Sequence, residues 1–242
     1  MQYNHAEAGH LYLIGVGPGA PDLLTLRAVQ ILASIDVIVA PRSRMSDDSL
    51  ALATVRPHLR NAEVIEHIYP MERNAEQTAQ SWRKMADLTC ERIARGQSVA
   101  HITIGDPLIY STCSYLVDQL DGRIPAENIH VLSGISAWQA TSALVGETLM
   151  TQNDKLTLLP ADRLEAVEEA LQTSETVVIY KIGPRINGLI ELLRRMNLIE
   201  HARLVCYAEQ ERQRIYLNLN EAHDERLGYM STMIVRVGMK GW

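Results

Sequence analysis

The sequence predicts an α/β protein with two α/β domains: an N-terminal parallel five-stranded sheet with flanking helices, and a second domain on a mixed sheet. Three observations lead there. The first half alternates short β-branched runs with helical stretches, the pattern of parallel strands joined by crossover helices. The rhythm changes after "VLSGISAWQATSALVG", which puts a boundary near Gly134 and divides the chain into residues 1–134 and 135–242. At 242 residues the chain can bury a substantial core, as one large domain or two small ones.

In chain order, the strands of the first domain are Leu11 to Val16, Val37 to Ala40, Val64 to Tyr69, Val99 to Ile104 and Ile129 to Leu132. Thr25 to Ser34 reads as a helix with Thr25 as its N-cap, and Ala75 to Arg95 as a longer amphipathic one. Behind the boundary come apolar runs at Leu156 to Leu159, Thr176 to Ile182, Leu204 to Tyr207, Arg214 to Leu217 and Thr232 to Val237. Helices at Arg163 to Leu171 and Ile186 to Met196 punctuate them.

Composition narrows the function classes. Apolar residues make up 47% and charged residues 21%, an ordinary globular balance. No apolar run approaches the roughly 20 residues that cross a bilayer, and "MQYNHAEAGH" carries neither the basic nor the apolar segment of a signal peptide, so the expected address is the cytoplasm. Cys90, Cys113 and Cys206 stand far apart, without the spacing of a thiolate metal site or a disulfide framework. A formal charge of −6 argues against a general nucleic-acid binder.

The first strand leaves through "GVGPGAP". Gly15, Gly17 and Ala20 satisfy G-x-G-x-x-G/A, the dinucleotide pattern, but the chemistry around them is wrong for pyrophosphate. Pro18 and Pro21 remove two amide donors, Asp22 adds a negative charge, and the helix starts only at Thr25. The ribose-binding acid would be Asp36, which precedes the second strand and so falls at the opposite sheet edge, roughly 13 Å away at about 3.3 Å per residue. No G-K-[ST] follows, which excludes a Walker loop. Two readings stay open: a plain backbone turn, or a stiff loop of Gly15, Gly17, Pro18 and Gly19 that a flat ligand approaches closely.

Ligands of open parallel sheets bind beyond the carboxyl ends of the strands. Those ends carry "GVGPG", "PRSR", "YPMER", "GDPLIYS" and "SGISA". Together they offer two glycine turns, the cations Arg42, Arg44 and Arg73, and the hydroxyls of Tyr110, Ser111, Thr112, Ser133 and Ser136. Arg matches carboxylates bidentately, so a broad ligand bearing several carboxylates fits. His101 lies within a strand and reads as a satisfied core residue, and no residue group suggests a protein-bound metal.

Through "LYLIGVGPGAPDLLTLRAVQILASIDVIVAP", "HITIGDPLIYST" and "VLSGISAWQATSALVG", the chain resembles the tetrapyrrole methyltransferases, which use S-adenosylmethionine on corrin and sirohaem precursors. "IYPM", "GDPLIYST" and "DKLTLLPA" are most similar to the members that methylate C(20) of precorrin-2 or cobalt-factor II. Ser133 stands where relatives often have Pro, and Gly146 to Leu149 departs from their Gly-x-Pro-Leu. The resemblance implies S-adenosylmethionine in a cleft between two domains, a tetrapyrrole over the first domain's strand ends, and a homodimer. It implies cofactor contacts from Ile104, Gly105, Asp106, Ile109, Ser136 and Ala137, then Lys181, Ala208 and Thr232. Gly15, Gly17, Pro18, Gly19, Arg42, Arg44 and Arg73 would border the substrate, with Tyr110 the candidate general base. Any cobalt would arrive inside the substrate. The nearest rival reading is another member of the family, acting at a different ring carbon or on uroporphyrinogen; an NADP oxidoreductase and a non-catalytic tetrapyrrole carrier are the more distant ones.

Overall fold

The computed structural model describes residues 5–42, 49–68, 75–222, 227 and 230–238, with residues 75–77 as backbone. The chain forms two compact units, Met1–Ser136 and Ala137–Trp242.

In the first unit, strands β1 (Leu11–Gly15), β2 (Val37–Arg42), β3 (Glu63–Ile68), β4 (Val99–Thr103) and β5 (Ile129–Leu132) form one sheet in the order β3-β2-β4-β1-β5. Every pairing in it is parallel. Successive side chains of a strand point to opposite faces, and β1 is apolar on both. Tyr12 and Ile14 pack with Ala28, Ile31 and Leu32 of helix α1 (Leu26–Leu32) and with Ala51, Leu52 and Val55 of α2 (Leu50–Val55). Leu11 and Leu13 pack on the other face with Trp82, Met85 and Ala86 of α3 (Ala75–Ala94) and Leu116 and Leu120 of α4 (Thr112–Leu120). Each such fully buried aliphatic side chain is worth about 1.5–3 kcal/mol. The sheet is therefore packed on both faces, and its carboxyl edge is built from loops.

The Thr25 cap is present: its hydroxyl accepts the Ala28 amide at 3.2 Å. Strand β2 runs two residues beyond the sequence expectation, through Pro41 and Arg42. Its ladder to β4 ends at Val39 opposite His101, so the missing Pro41 amide falls where only β3 remains a partner. Helices α2 and α4 were not anticipated. Each starts at a serine cap, Ser49 accepting from the Leu52 amide and Ser111 from the Cys113 amide.

The second unit contains α5 (Ala137–Val145), β6 (Leu156–Pro160), α6 (Leu164–Thr173), β7 (Thr176–Tyr180), α7 (Ile186–Arg195), β8 (Ala202–Cys206), β9 (Arg214–Tyr216) and β10 (Ser231–Arg236). The sheet order is β6-β7-β10-β8-β9. It is mixed, as expected: β6 and β7 are parallel, whereas β10 runs antiparallel to β7 and β8, and β9 antiparallel to β8. Ile186, Leu189, Ile190 and Leu193 form the buried stripe of α7, at the i, i+3, i+4, i+7 spacing of an amphipathic helix. Strand β7 ends two residues earlier than expected because Lys181 takes φ 56°, which an extended ladder cannot accommodate. Among the described residues no helix is long and apolar enough to cross a membrane.

Candidate active site

Three loops at the carboxyl edge of the first sheet meet backbone on backbone. An added Cβ at Gly15 would stand 2.5 Å from the Gly105 carbonyl oxygen and 2.6 Å from the Gly134 nitrogen. One at Gly134 would stand 2.2 Å from that same oxygen. All three distances are far inside van der Waals contact, so the fold itself requires glycine at these two positions. Gly17 and Gly105, at φ 74° and 75°, form an isolated antiparallel bridge in which the Gly105 amide donates to the Gly17 carbonyl at 2.7 Å. "GVGPG" is thus fastened to "GDP" by main-chain hydrogen bonds. Pro18 is buried, and the Gly19 carbonyl accepts the Thr54 hydroxyl of α2 at 3.0 Å.

Gly105 differs from Gly15. A Cβ there would meet only the Ser136 Cα, at 3.9 Å, an ordinary contact, so what calls for glycine at this buried position is φ 75° and not lack of space. Next to it, the Asp106 carboxylate accepts the Leu108 amide at 2.9 Å and the Gly134 amide at 3.2 Å. Ile104 and Ile109 are half-buried, and Ser136 is buried immediately before α5. Tyr110 is half exposed at the loop tip, at φ 49°. The loop closes at Ser111, whose hydroxyl donates to Thr103 at 3.2 Å while capping α4. Ile104, Gly105, Asp106, Ile109 and Ser136 thus fall in two loops that the Gly134–Asp106 hydrogen bond joins, and Ala137 opens α5.

Arg42 lies at the end of β2 and is a third exposed, with its Nε 3.9 Å from a carboxylate oxygen of Glu66 on β3. Sequence reasoning missed Glu66 because the β2–β3 register that sets it beside Arg42 is a non-local property. Arg44 and Arg73 lie outside the described residues. In the second unit, Lys181 follows β7, Ala208 follows β8, and Thr232 of β10 pairs with Tyr180 and Val205, so these three candidates share one edge of that sheet.

Other titratable groups are committed to structure. Asp36 accepts the Ser98 amide and hydroxyl at 2.8 and 2.7 Å, at the amino edge of the sheet, where no ribose bound at "GVGPG" reaches it. The Thr89 hydroxyl donates to the Met85 carbonyl at 2.7 Å, which leaves His101 Nε2 as donor in its 2.8 Å bond to Thr89. Burial, with a smaller contribution from His67, lowers the His101 pKa to about 3, so the ring is neutral. Burial likewise raises the Cys113 thiol to about 11, which removes it as a nucleophile. Among the described residues no three His, Cys, Asp or Glu side chains are grouped as metal ligands.

A five-stranded parallel sheet with three glycine-bearing loops meeting at its carboxyl edge, in a chain that also carries a mixed-sheet unit, defines the class: a two-unit α/β protein. Residues 10–222 match the Tetrapyrrole (Corrin/Porphyrin) Methylases, and the chain belongs to that family. It is 31% identical over 230 residues to the cobalt-precorrin-2 C(20)-methyltransferase of Salmonella typhimurium, covering 94% of this chain and 96% of that one. It is 27% identical to the precorrin-2 C(20)-methyltransferase of a Sinorhizobium species, over 97% of this chain and 96% of the other. Among solved structures, a cobalt precorrin-4 methyltransferase superposes with a TM-score of 0.73 at 17% identity, covering 96% of this chain and 97% of its own. The uroporphyrin-III C-methyltransferase of Thermus thermophilus, complexed with S-adenosyl homocysteine, gives 0.64 at 18% identity, over 93% and 96% of the two chains. Both structures share the fold.

Proposed function

We propose that the protein methylates carbon C(20) of precorrin-2 or cobalt-factor II in cobalamin biosynthesis, with S-adenosylmethionine as methyl donor. The observation that carries this reading is the near full-length similarity to enzymes named for C(20), at 31% and 27% identity. Gly105 at φ 75° beside Ser136 supports the cofactor part, because a turn of two glycine-bearing loops keeps side chains away from the main chain there.

Bound S-adenosylmethionine supplies a methyl on a sulfonium; the macrocycle carbon's electron pair forms the new C–C bond, the C–S pair returns to sulfur, and the carbon's proton leaves to a base. The cofactor contacts are Ile104, Gly105, Asp106, Ile109, Ser136 and Ala137, with Lys181, Ala208 and Thr232 from the second unit. Gly17, Pro18 and Gly19 present a stiff, side-chain-poor wall to the flat substrate, Gly15 holds that loop against Gly105 and Gly134 instead of facing the ligand, and Arg42, Arg44 and Arg73 take the substrate's carboxylates. Tyr110 is the candidate proton acceptor, exposed at the loop tip. The chain's main contribution is alignment, since well-oriented reactants held about 3–3.5 Å apart gain roughly 7–11 kcal/mol of barrier. Residues 1–134 form the tetrapyrrole-binding domain and residues 135–242 the other. The reading includes a homodimer in the cytoplasm, which the family resemblance and the composition support.

The test is incubation with S-adenosylmethionine and either metal-free precorrin-2 or cobalt-factor II, followed by location of the new methyl by NMR. Methylation at C(20) is the expected result. A methyl at another ring carbon, or no transfer over many turnovers, overturns it.

A further inference from the structure

The Asp106 carboxylate is turned toward main chain. One oxygen accepts the Leu108 amide two residues along the loop, and the other accepts the Gly134 amide from the turn after β5, 28 residues away in sequence. Gly134 is wedged against the Gly15 and Gly105 backbones where no side-chain atom fits. Between Gly105 and Ser111 the loop is otherwise exposed at its tip, with Leu108 63% and Tyr110 50% accessible. Tyr110 also holds φ 49°, a left-handed conformation that a non-glycine residue keeps only where the surroundings enforce it. The loop is tied at both ends, Ser111 to Thr103 at one and Asp106 to Gly134 at the other.

We propose that Asp106 is a positioning residue: it clamps the 105–111 loop to the turn after β5 through two main-chain amides, and it serves the cofactor by placing the Gly105 backbone, not by countering the sulfonium charge. The cofactor half of this proposal rests on the methyl-transfer reading above; the clamp itself does not.

The experiment compares wild type with Asp106→Asn and Asp106→Ala in binding both S-adenosylmethionine and S-adenosylhomocysteine, which share every group except the charged sulfonium methyl. A clamp predicts equal losses for the two ligands, about tenfold in Asp106→Ala. The Asn variant, whose single amide oxygen keeps one of the two bonds, is expected to lose less. A loss confined to S-adenosylmethionine, or no loss in either variant, overturns the positioning role. Hydrogen exchange on the ligand-free wild type tests the clamp by itself, even if the variants do not fold. The Leu108 and Gly134 amides, both outside the strands, are expected to be protected, and rapid exchange of Gly134 overturns the clamp. Failure of the wild type to bind either ligand refutes the methyl-transfer reading and leaves the exchange result to decide the clamp.

Discussion

Gly134 lies so close to Gly15 that a Cβ on Gly134 would stand 2.7 Å from the Gly15 carbonyl carbon and 2.8 Å from its oxygen. All the atoms involved are backbone, so no rotamer change relieves the clash, and strands β1 and β5 would have to part. Gly134→Ala is expected to cost about 3 kcal/mol or more. Gly188→Ala is the control: its Cβ would also come close, 2.8 Å, but to the terminal methyl of Leu164, which can rotate away. There the gain in helix propensity, up to about 1 kcal/mol, offsets most of the strain. Urea denaturation of the two variants checks the contrast; equal midpoints would contradict it.

Asp36 supplies a second prediction. Its carboxylate joins the amino ends of β2 and β4 through Ser98 and is remote from the candidate site. Asp36→Ala is expected to lower stability by about 1–2 kcal/mol and to leave ligand affinity unchanged. Isothermal titration with S-adenosylhomocysteine beside a denaturation curve checks this, and loss of affinity at unchanged stability would return Asp36 to a ligand-binding role.

The position of Asp36 was legible because strand direction alone places it at the amino edge. The same logic grouped "GVGPG", "GDPLIYS" and "SGISA" before any coordinates, and the Thr25 cap followed from its own hydroxyl. Other features were out of reach for definite reasons. Helix α2 has six residues, too few for a helical period to show, and is fixed by Ser49 and by packing on β1 and β2. The order β3-β2-β4-β1-β5 depends on which strand inserts between which, and no local pattern encodes that. Sequence leaves Gly15 either in a plain turn or in a ligand-facing loop, and the choice rests on its bare side being filled by Gly105 and Gly134, which only their long-range approach reveals.

Buried His101 makes stability depend on pH. Its pKa is lowered from 6.5 to about 3 on folding, so the unfolded chain binds the proton more readily. Its contribution is fully present above pH 6.5 and is lost as pH falls toward 3, at about 1.4 kcal/mol per pH unit. Burial also lowers His67 and His130, which adds to the slope just below pH 6.5. His101→Leu removes the main contribution, and Thr89 keeps its bond to the Met85 carbonyl. Denaturation midpoints between pH 4 and 7 are expected to fall less steeply in the variant, and parallel curves would refute the assignment.

Arg42 and Glu66 yield the last prediction. Their 3.9 Å separation is long for a charge-assisted hydrogen bond, and both side chains are about a third exposed, so the pair is worth well under 1 kcal/mol. A substrate carboxylate placed bidentately on Arg42 gains about 1.5–3 kcal/mol, enough to displace Glu66. Arg42→Ala is therefore expected to raise the tetrapyrrole KM about tenfold with kcat little changed. Glu66→Gln, which removes the competing charge and keeps the side-chain shape, is expected to lower KM by about twofold. Steady-state kinetics with the tetrapyrrole varied checks both. If the Gln variant raises KM as much as Arg42→Ala does, Glu66 orients Arg42 instead of competing for it; if neither variant moves KM, Arg42 does not contact the substrate.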